Sequence, residues 1–264
     1  MSMQMKSEMR HILLSLCCLA VSLAAVAQQE TFFDPTRKVA KAQEAYEFST
    51  TWRIECGYAQ NWQHTKSENI MNPYLHGMKL GGTVDFNLPL HFSVQTGLTY
   101  TVTYGVIDQH WSATSVEAQH IDGDYIRHNV MEHLLGIPLR ACYRVPLWKE
   151  LALVFYAGPR FEIGLAQPDY VDISHLSDTY GNVIGSKEAL AAMDVRLEKY
   201  DRYACGDLYR FNFLLGAGGG IEWDRYRLQG GYDFGLNNQV KHKYVAGQHM
   251  WEWGWYVSFA YRLK

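Results

Sequence analysis

Residues 78–104, MKLGGTVDFNLPLHFSVQTGLTYTVTY, sort their side chains into two classes in nearly unbroken alternation. Met78, Leu80, Val84, Phe86 and Leu88 fall on one side, against Lys79, Gly81, Thr83, Asp85 and Asn87 on the other. Beyond a tight turn at Leu88-Pro89, Leu90, Phe92, Val94, Leu98, Tyr100, Val102 and Tyr104 oppose His91, Ser93, Gln95, Gly97, Thr99, Thr101 and Thr103. A strand turns successive side chains to opposite faces, so this period of two predicts a hairpin with one apolar and one polar face.

Six further stretches carry the same signal. Trp52, Ile54, Cys56 and Tyr58 oppose Arg53, Glu55, Gly57 and Ala59, and Leu135, Ile137, Leu139, Ala141 and Tyr143 oppose Leu134, Gly136, Arg140, Cys142 and Arg144. Leu153, Phe155, Ala157, Phe161 and Ile163 oppose Tyr156, Gly158, Arg160, Glu162 and Gly164. Phe211, Phe213, Leu215, Ile221 and Trp223 oppose Arg210, Asn212, Gly216, Gly218 and Glu222, with GAGGG (216–220) in mid-strand. Tyr226, Leu228, Tyr232 and Phe234 oppose Arg227, Gln229, Gly231 and Asp233. Trp251, Trp253, Trp255, Val257, Phe259 and Tyr261 oppose Glu252, Gly254, Tyr256, Ser258, Ala260 and Arg262. The connections near Pro89, Pro146 and Asp224 are short, whereas 63–76, 105–124, 166–208 and 237–249 are long and polar, with a short helix expected in SKEALAAMDVRLEKY (186–200). Short turns at one end and long loops at the other predict an all-β, eight-stranded antiparallel up-and-down barrel.

Alternation alone does not say which face points inward. A secreted soluble barrel with an apolar, lipocalin-like interior is one solution, and a transmembrane barrel is the other. The polar face carries Arg53, Lys79, Arg140, Arg144, Arg160, Arg210, Arg227 and Arg262 beside Glu55, Asp85, Glu132, Glu162, Glu222, Asp233 and Glu252, spaced by Gly, Ser and Thr. Balanced Arg and acid among small residues suits a narrow interior where charges must pair. The apolar face is nearly free of charge and gathers aromatics such as Tyr100, Tyr104, Trp223, Tyr226, Trp251 and Trp253 near strand ends, as the girdles of a membrane barrel require. The expectation is apolar side out, ion pairs in.

Composition agrees with a folded chain. Aromatics at 14% and 22 Gly against 7 Pro exclude disorder and collagen, and a net charge of -3 offers nucleic acid no basic surface. Lys6 and Arg10, the apolar run Ile12–Val26 and Ala25-Val26-Ala27 read as a signal peptide over 1–27, followed by a polar leader over 28–48 and the barrel over 49–264. Past that signal, no apolar run approaches the ~20 residues of a membrane-crossing helix. Cys56, Cys142 and Cys205 allow at most one disulfide, and the His residues lack zinc-ligand spacing beside them. No metal or cofactor is expected.

The fragments LLGIPLRACYRV (134–145), VFYAGPRFEIGL (154–165), RFNFLLGAGGGIEW (210–223) and LQGGYDFGLNN (228–238) resemble strands of the PorT-like outer-membrane beta-barrel family of Gram-negative bacteria, over roughly residues 76–264. The resemblance implies an outer-membrane location with short periplasmic turns and long extracellular loops, and supplies no catalytic residues. Glu252, Gly254, Val257 and Phe259 also resemble the signal read by the barrel-assembly machinery, although the chain ends in Lys264 and not in an aromatic residue.

Eight strands leave an interior just filled by side chains, so function is expected in the loops, in contacts with outer-membrane lipid, or in structural support. A protein or glycan partner at the loops would meet residues such as Trp111, Tyr170 and Tyr180. Two alternatives stand beside this: an accessory role in protein secretion, implied by the family resemblance, and a lipid hydrolase or acyltransferase. For the enzyme the candidates are His91 with Ser93, His128 and His133, but no motif sets a base and an oxyanion site around a nucleophile, so their expected role is polar filling. GAGGG lacks the Lys-Ser/Thr of a phosphate loop and reads as thin interior packing. The Trp251, Trp253 and Trp255 stripe reads as lipid-facing in preference to a sugar platform.

Overall fold

The computed structural model describes residues 49–65, 74–110, 121–122, 125–172, 177–178, 199–241 and 249–263. The expected signal peptide and leader, Trp111, Tyr180 and all but the last two residues of the expected helix lie outside the described residues.

The described chain is built from strands β1 (Ser49–Thr65), β2 (Tyr74–Asn87), β3 (Phe92–His110), β4 (Ile121–Asp122), β5 (Tyr125–Trp148), β6 (Leu151–Ala166), β7 (Pro168–Asp172), β8 (Ser177–Asp178), β9 (Tyr200–Asp201), β10 (Phe211–Trp223), β11 (Tyr226–Gly235) and β12 (Met250–Arg262). Ten of these form one antiparallel sheet in the order β3-β2-β1-β12-β11-β10-β6-β5-β7-β9, and β3 pairs in addition with β5 from Phe92↔Tyr143 to His110↔Tyr125. β4 and β8 form a separate two-stranded ladder. The eight long strands are those whose alternation the sequence displays.

Register follows from the two-faced pattern. Cys56 stands beside Leu80 of β2 and Phe259 of β12, and Glu55 beside Gly81 and Ala260. A slip of one residue would exchange the two faces along a whole strand, so burial of one face specifies the pairing. The tight links Lys149-Glu150 and Asp224-Arg225 start with positive φ (33° and 51°), the sign that primed hairpin turns require.

The structure corrects the boundaries in two places. Pro89–His91 form a 3-10 turn with Leu90 and His91 at φ 62° and 66°, so His91 belongs to the turn and not to the third strand. Strands also extend into the expected long loops: β1 runs to Thr65, β3 to His110, β5 begins at Tyr125, and β7 and β9 lie within 166–208. In these extensions Gln63, Leu75, Ile107, Val130 and Val171 are still buried, so the ladder keeps one covered face after the apolar–polar alternation of the sequence has ended.

One face of the long strands is buried and polar; the other is exposed and apolar. Arg53, Lys79, Asp85, Glu132, Glu162 and Glu252 are at most 5% exposed, whereas Trp52, Ile54, Met78, Leu98, Phe155 and Leu228 are all above half exposed. Glycines make room on the buried face. Tyr156 and Tyr256 lean over β10 and β11, where a Cβ on Gly218 would collide with the Tyr156 hydroxyl and one on Gly231 would lie 2.6 Å from that of Tyr256. Gly218 of the GAGGG stretch and Gly231 of β11 are therefore the seats of two tyrosines. Gly82, in contrast, would find nothing nearer than Arg53 O at 3.8 Å. Gly218→Leu is expected to abolish the compact, heat-modifiable band of the refolded protein on gels, while Gly82→Leu retains it.

Candidate functional site

Inward alternation on every long strand brings charges from distant parts of the chain together. In the layer nearest the short turns, Glu222 of β10 accepts from Arg227 Nε at 3.0 Å and Nη2 at 2.7 Å, from Arg53 Nη2 at 3.0 Å and from Arg144 Nε at 3.1 Å. Asp85 pairs with Arg53, with Arg227 Nη2 at 3.2 Å, and accepts from Gln95 Nε2 at 2.8 Å. Two carboxylates thus bind three guanidiniums drawn from β1, β5 and β11.

In the middle layer Lys79 Nζ lies 3.1 Å from Glu55 and 3.9 Å from the centre of the Tyr256 ring. Arg160 bridges Asp233 at 2.9 Å and Glu162 at 2.6 Å, and Arg140 reaches Asp233 at 3.5 Å while stacked over the Tyr156 ring. Tyr256 donates to Tyr156, which donates to Gly230 O, both at 2.8 Å. A cation held on one side by carboxylate and on another by a ring face combines ion pairing with cation–π attraction.

The layer nearest the loops has a different chemistry. Glu252 accepts from Asn61 at 2.6 Å, Gln239 at 2.9 Å and Asn212 at 3.3 Å. Glu132 accepts from Gln63, Gln167, Asn61 and the Tyr203 hydroxyl at 3.4 to 3.5 Å. Tyr203 packs with Leu208, Met250 and Val240, on a turn whose amides at Tyr203 and Ala204 donate to Asp201.

Thirteen of the sequence-predicted interior residues, Arg53, Glu55, Lys79, Asp85, Glu132, Arg140, Arg144, Arg160, Glu162, Glu222, Arg227, Asp233 and Glu252, belong to these layers, Arg144 with 40% of its side chain still exposed. Two do not. Arg210 precedes β10, is exposed, and donates to the carbonyls of Gly164 at 2.9 Å and Leu165 at 2.7 Å, capping the end of β6. Arg262 ends β12 half-buried, 3.6 Å from Asp224 at the turn, because there the strand passes out of the enclosed region into water. The residues that sequence reasoning passed over are uncharged: Asn61, Gln63, Gln167, Gln239 and Tyr203. A carboxamide gives no charge signal, and several of these lie in stretches read as loop.

The exposed wall carries two aromatic belts. Near the turns, Phe92 packs on Tyr143 at 4.7 Å and Tyr226 on Tyr261 at 5.5 Å, with Trp148 and Trp223 beyond half exposed. Toward the loops, Tyr100 bonds His133 at 2.6 Å, Tyr104 donates to Asn129 at 2.9 Å, and Tyr58 with His76 and Trp255 with Gln60 form like pairs. The polar tip of each ring in this loop-side belt is satisfied within the wall, so only carbon need face a hydrocarbon phase. Phe92 and Tyr104 lie about 30 Å apart along the barrel normal at ~3.3 Å per residue and a tilt of ~40°, close to the thickness of a bilayer core. Of the tryptophan stripe, Trp255 is exposed, but Trp253 is covered by Phe234, His64 and Trp62 at ring distances of 4.9 to 5.5 Å.

The candidate catalytic groups are spread over the molecule. His91 stands in a turn, His133 on the outer wall against Tyr100, and His128 near the loops 3.1 Å from Asp169, which also accepts from Tyr200 at 3.0 Å. Ser93 faces inward beside Cys142 on the neighbouring strand, and Cys56, Cys142 and Cys205 are free thiols.

The ion-pair layers permit a direct measurement. Removing one partner of a buried pair leaves the other uncompensated, at a cost of roughly 3 to 5 kcal/mol, against about 1 kcal/mol or less for an exposed pair. Arg227→Met is therefore expected to lower unfolding stability in urea severalfold more than Arg262→Met.

A family model described as outer membrane protein beta-barrel domain matches residues 41–241. No curated protein matches by sequence. Among solved structures, the chain is similar to Neisserial surface protein A (8% identity, TM-score 0.40, covering 81% of this chain and 98% of that one) and to the attachment invasion locus protein Ail of Yersinia pestis (11%, 0.35, 81% and 99%). It is also similar to the outer membrane protease OmpT from Escherichia coli (8%, 0.43, 83% and 99%).

Proposed function

Because the chain belongs to the outer membrane protein beta-barrel domain family and resides in the outer membrane, we propose that its eight long strands close into a plugged barrel that acts through its loop end and outer wall. β1, β2, β3, β5, β6, β10, β11 and β12 each pair on both sides, and closure removes the unpaired edge that hydrocarbon forbids. The short turns face the periplasm and the long connections the outside, the usual arrangement of such barrels. The four PorT-like fragments make that branch of the family the proposed kinship.

The observation that carries the reading is the filled interior. Lys79, Arg140, Arg160, Glu162, Asp233 and Glu252 occupy the cross-section, and the cavity beside them measures about 10 Å³, room for one water-sized particle. A solute pathway needs a continuous void; a structural or binding protein does not. The proposed role is therefore non-enzymatic and non-conducting, with a protein or glycan engaged at the loops. The barrel-assembly machinery is the proposed partner during insertion: Val257 and Phe259 project outward from β12, which pairs with β1, while Glu252 turns inward.

Purified protein in planar bilayers is expected to show no steady open conductance, and a stable aqueous channel would overturn the plugged reading. On the wall, Leu98 lies midway between Phe92 and Tyr104 and is 51% exposed. Leu98→Arg is expected to lower stability in lipid by roughly 2 to 4 kcal/mol, whereas Leu90→Arg at the turn costs about 1 kcal/mol or less.

A further inference from the structure

We propose that the barrel interior binds one structural water molecule beside Glu162, where the middle layer meets the loop-side layer. The cavity of about 10 Å³ is lined there by Asn61, Thr101, Arg160, Glu162, Asp233 and Glu252, and its volume is about that of one water. Two polar atoms of these lining residues are buried without a hydrogen-bond partner: Arg160 Nε, a donor, and Glu162 Oε2, an acceptor. Arg160 is 7% and Glu162 2% exposed, so bulk solvent serves neither. The remaining atoms of both groups are engaged. Arg160 Nη1 holds Asp233 at 2.9 Å, and Nη2 holds Glu162 Oε1 at 2.6 Å and reaches Thr101 Oγ1 at 3.4 Å.

The charges of the lining decide the occupant. A guanidinium in the wall opposes a metal ion, and the carboxylates of Glu162, Asp233 and Glu252 oppose an anion. What fits is a neutral molecule that fills a void of this size, donates to Glu162 Oε2 and accepts from Arg160. Water meets all three conditions, and its second hydrogen has Asp233 or Glu252 to turn to, within the two to four partners that buried waters take. The competing state is an empty void. Cavities stay dry when their walls are apolar, whereas half of this lining is polar or charged. Leaving a buried carboxylate oxygen unmet costs more than immobilising one water. The bridge ties the Arg160–Glu162 pair to the acidic layer beyond it, so the plug coheres along its length. This inference rests on the plugged reading of the interior: an open conductance removes that reading, whereas the density sought below bears on the water alone.

The test is a crystal structure of the full barrel, refolded in detergent, at a resolution that shows ordered water. Density for one water within about 3.2 Å of both Glu162 Oε2 and an Arg160 nitrogen is expected. Ala59 and Leu214 line the same cavity from its apolar side. Ala59→Val is expected to displace that density, to keep the compact heat-modifiable band, and to lower the melting temperature by roughly 2 °C or more. Leu214→Met, a volume-conserving exchange with a longer side chain, makes the same comparison if Ala59→Val does not refold. A parent cavity without density, or one closed by a side chain, overturns the proposal. So does a refolded variant that melts higher than the parent, the mark of a dry void gaining apolar contacts. A peak with oxygen contacts of about 2.3 to 2.6 Å identifies a metal cation and overturns it as well.

Discussion

A charge enclosed by strands and surrounded by lipid has no water to turn to, and it must be met by an opposite charge or a dipole within about 3 Å. In this chain the partners lie far apart in sequence and on separate strands: Arg53 of β1 with Glu222 of β10, Arg227 of β11 with Asp85 of β2, Arg160 of β6 with Asp233 of β11. None of these contacts can form within one hairpin. Assembly of the sheet and neutralisation of its interior are the same event, and a register error on β1, β5, β6 or β11 would leave a guanidinium against hydrocarbon.

The remaining features follow from that requirement. With charge inside, the apolar side chains of the wall face outward, and the interior mixes its charges with apolar groups: Ala59, Cys142, Tyr156 and Tyr256 form its central cluster, and Leu75, Val130, Leu134 and Val154 are buried as well. Cohesion rests on the ladders, on the ion-pair layers, and on lipid accepting the wall. The tyrosine–histidine and tryptophan–glutamine pairs of the upper belt extend the logic to the surface, where each ring hides its polar atom against a neighbouring strand. Glycine at positions 218 and 231 serves the interior, because two tyrosines must fit where charged chains already crowd.

How much of this is legible in the sequence varies with distance from the membrane. Where lipid lies on one side and buried charge on the other, alternation is forced on every residue, and the strand faces from Trp52 to Tyr261 read directly from the chain. At the rims that force vanishes. Arg210 and Arg262 share the alternation but sit where water is available, so their parity says nothing about enclosure. The strands through 105–110 and 168–172 carry mixed residues on both faces and read as loop. The amide cage around Glu132 and Glu252 depends on residues brought in from three connections, and no local pattern announces that Gln167 will reach Glu132 or Gln239 reach Glu252.

The orientation of the wall is tested most directly by site-directed spin labelling of two adjacent positions of β3, Leu98 and Thr99, each changed to cysteine in a chain lacking its other cysteines and reconstituted in bilayers. Leu98 is 51% exposed and Thr99 1%. A label at 98 should be relaxed strongly by oxygen and hardly at all by a water-soluble nickel chelate. At 99 the label should be shielded from both, its motion restricted by the packed interior. Chelate accessibility at 98 with a lipid signature at 99 would mean that the faces are reversed, and the account of a charge-filled interior would not survive it.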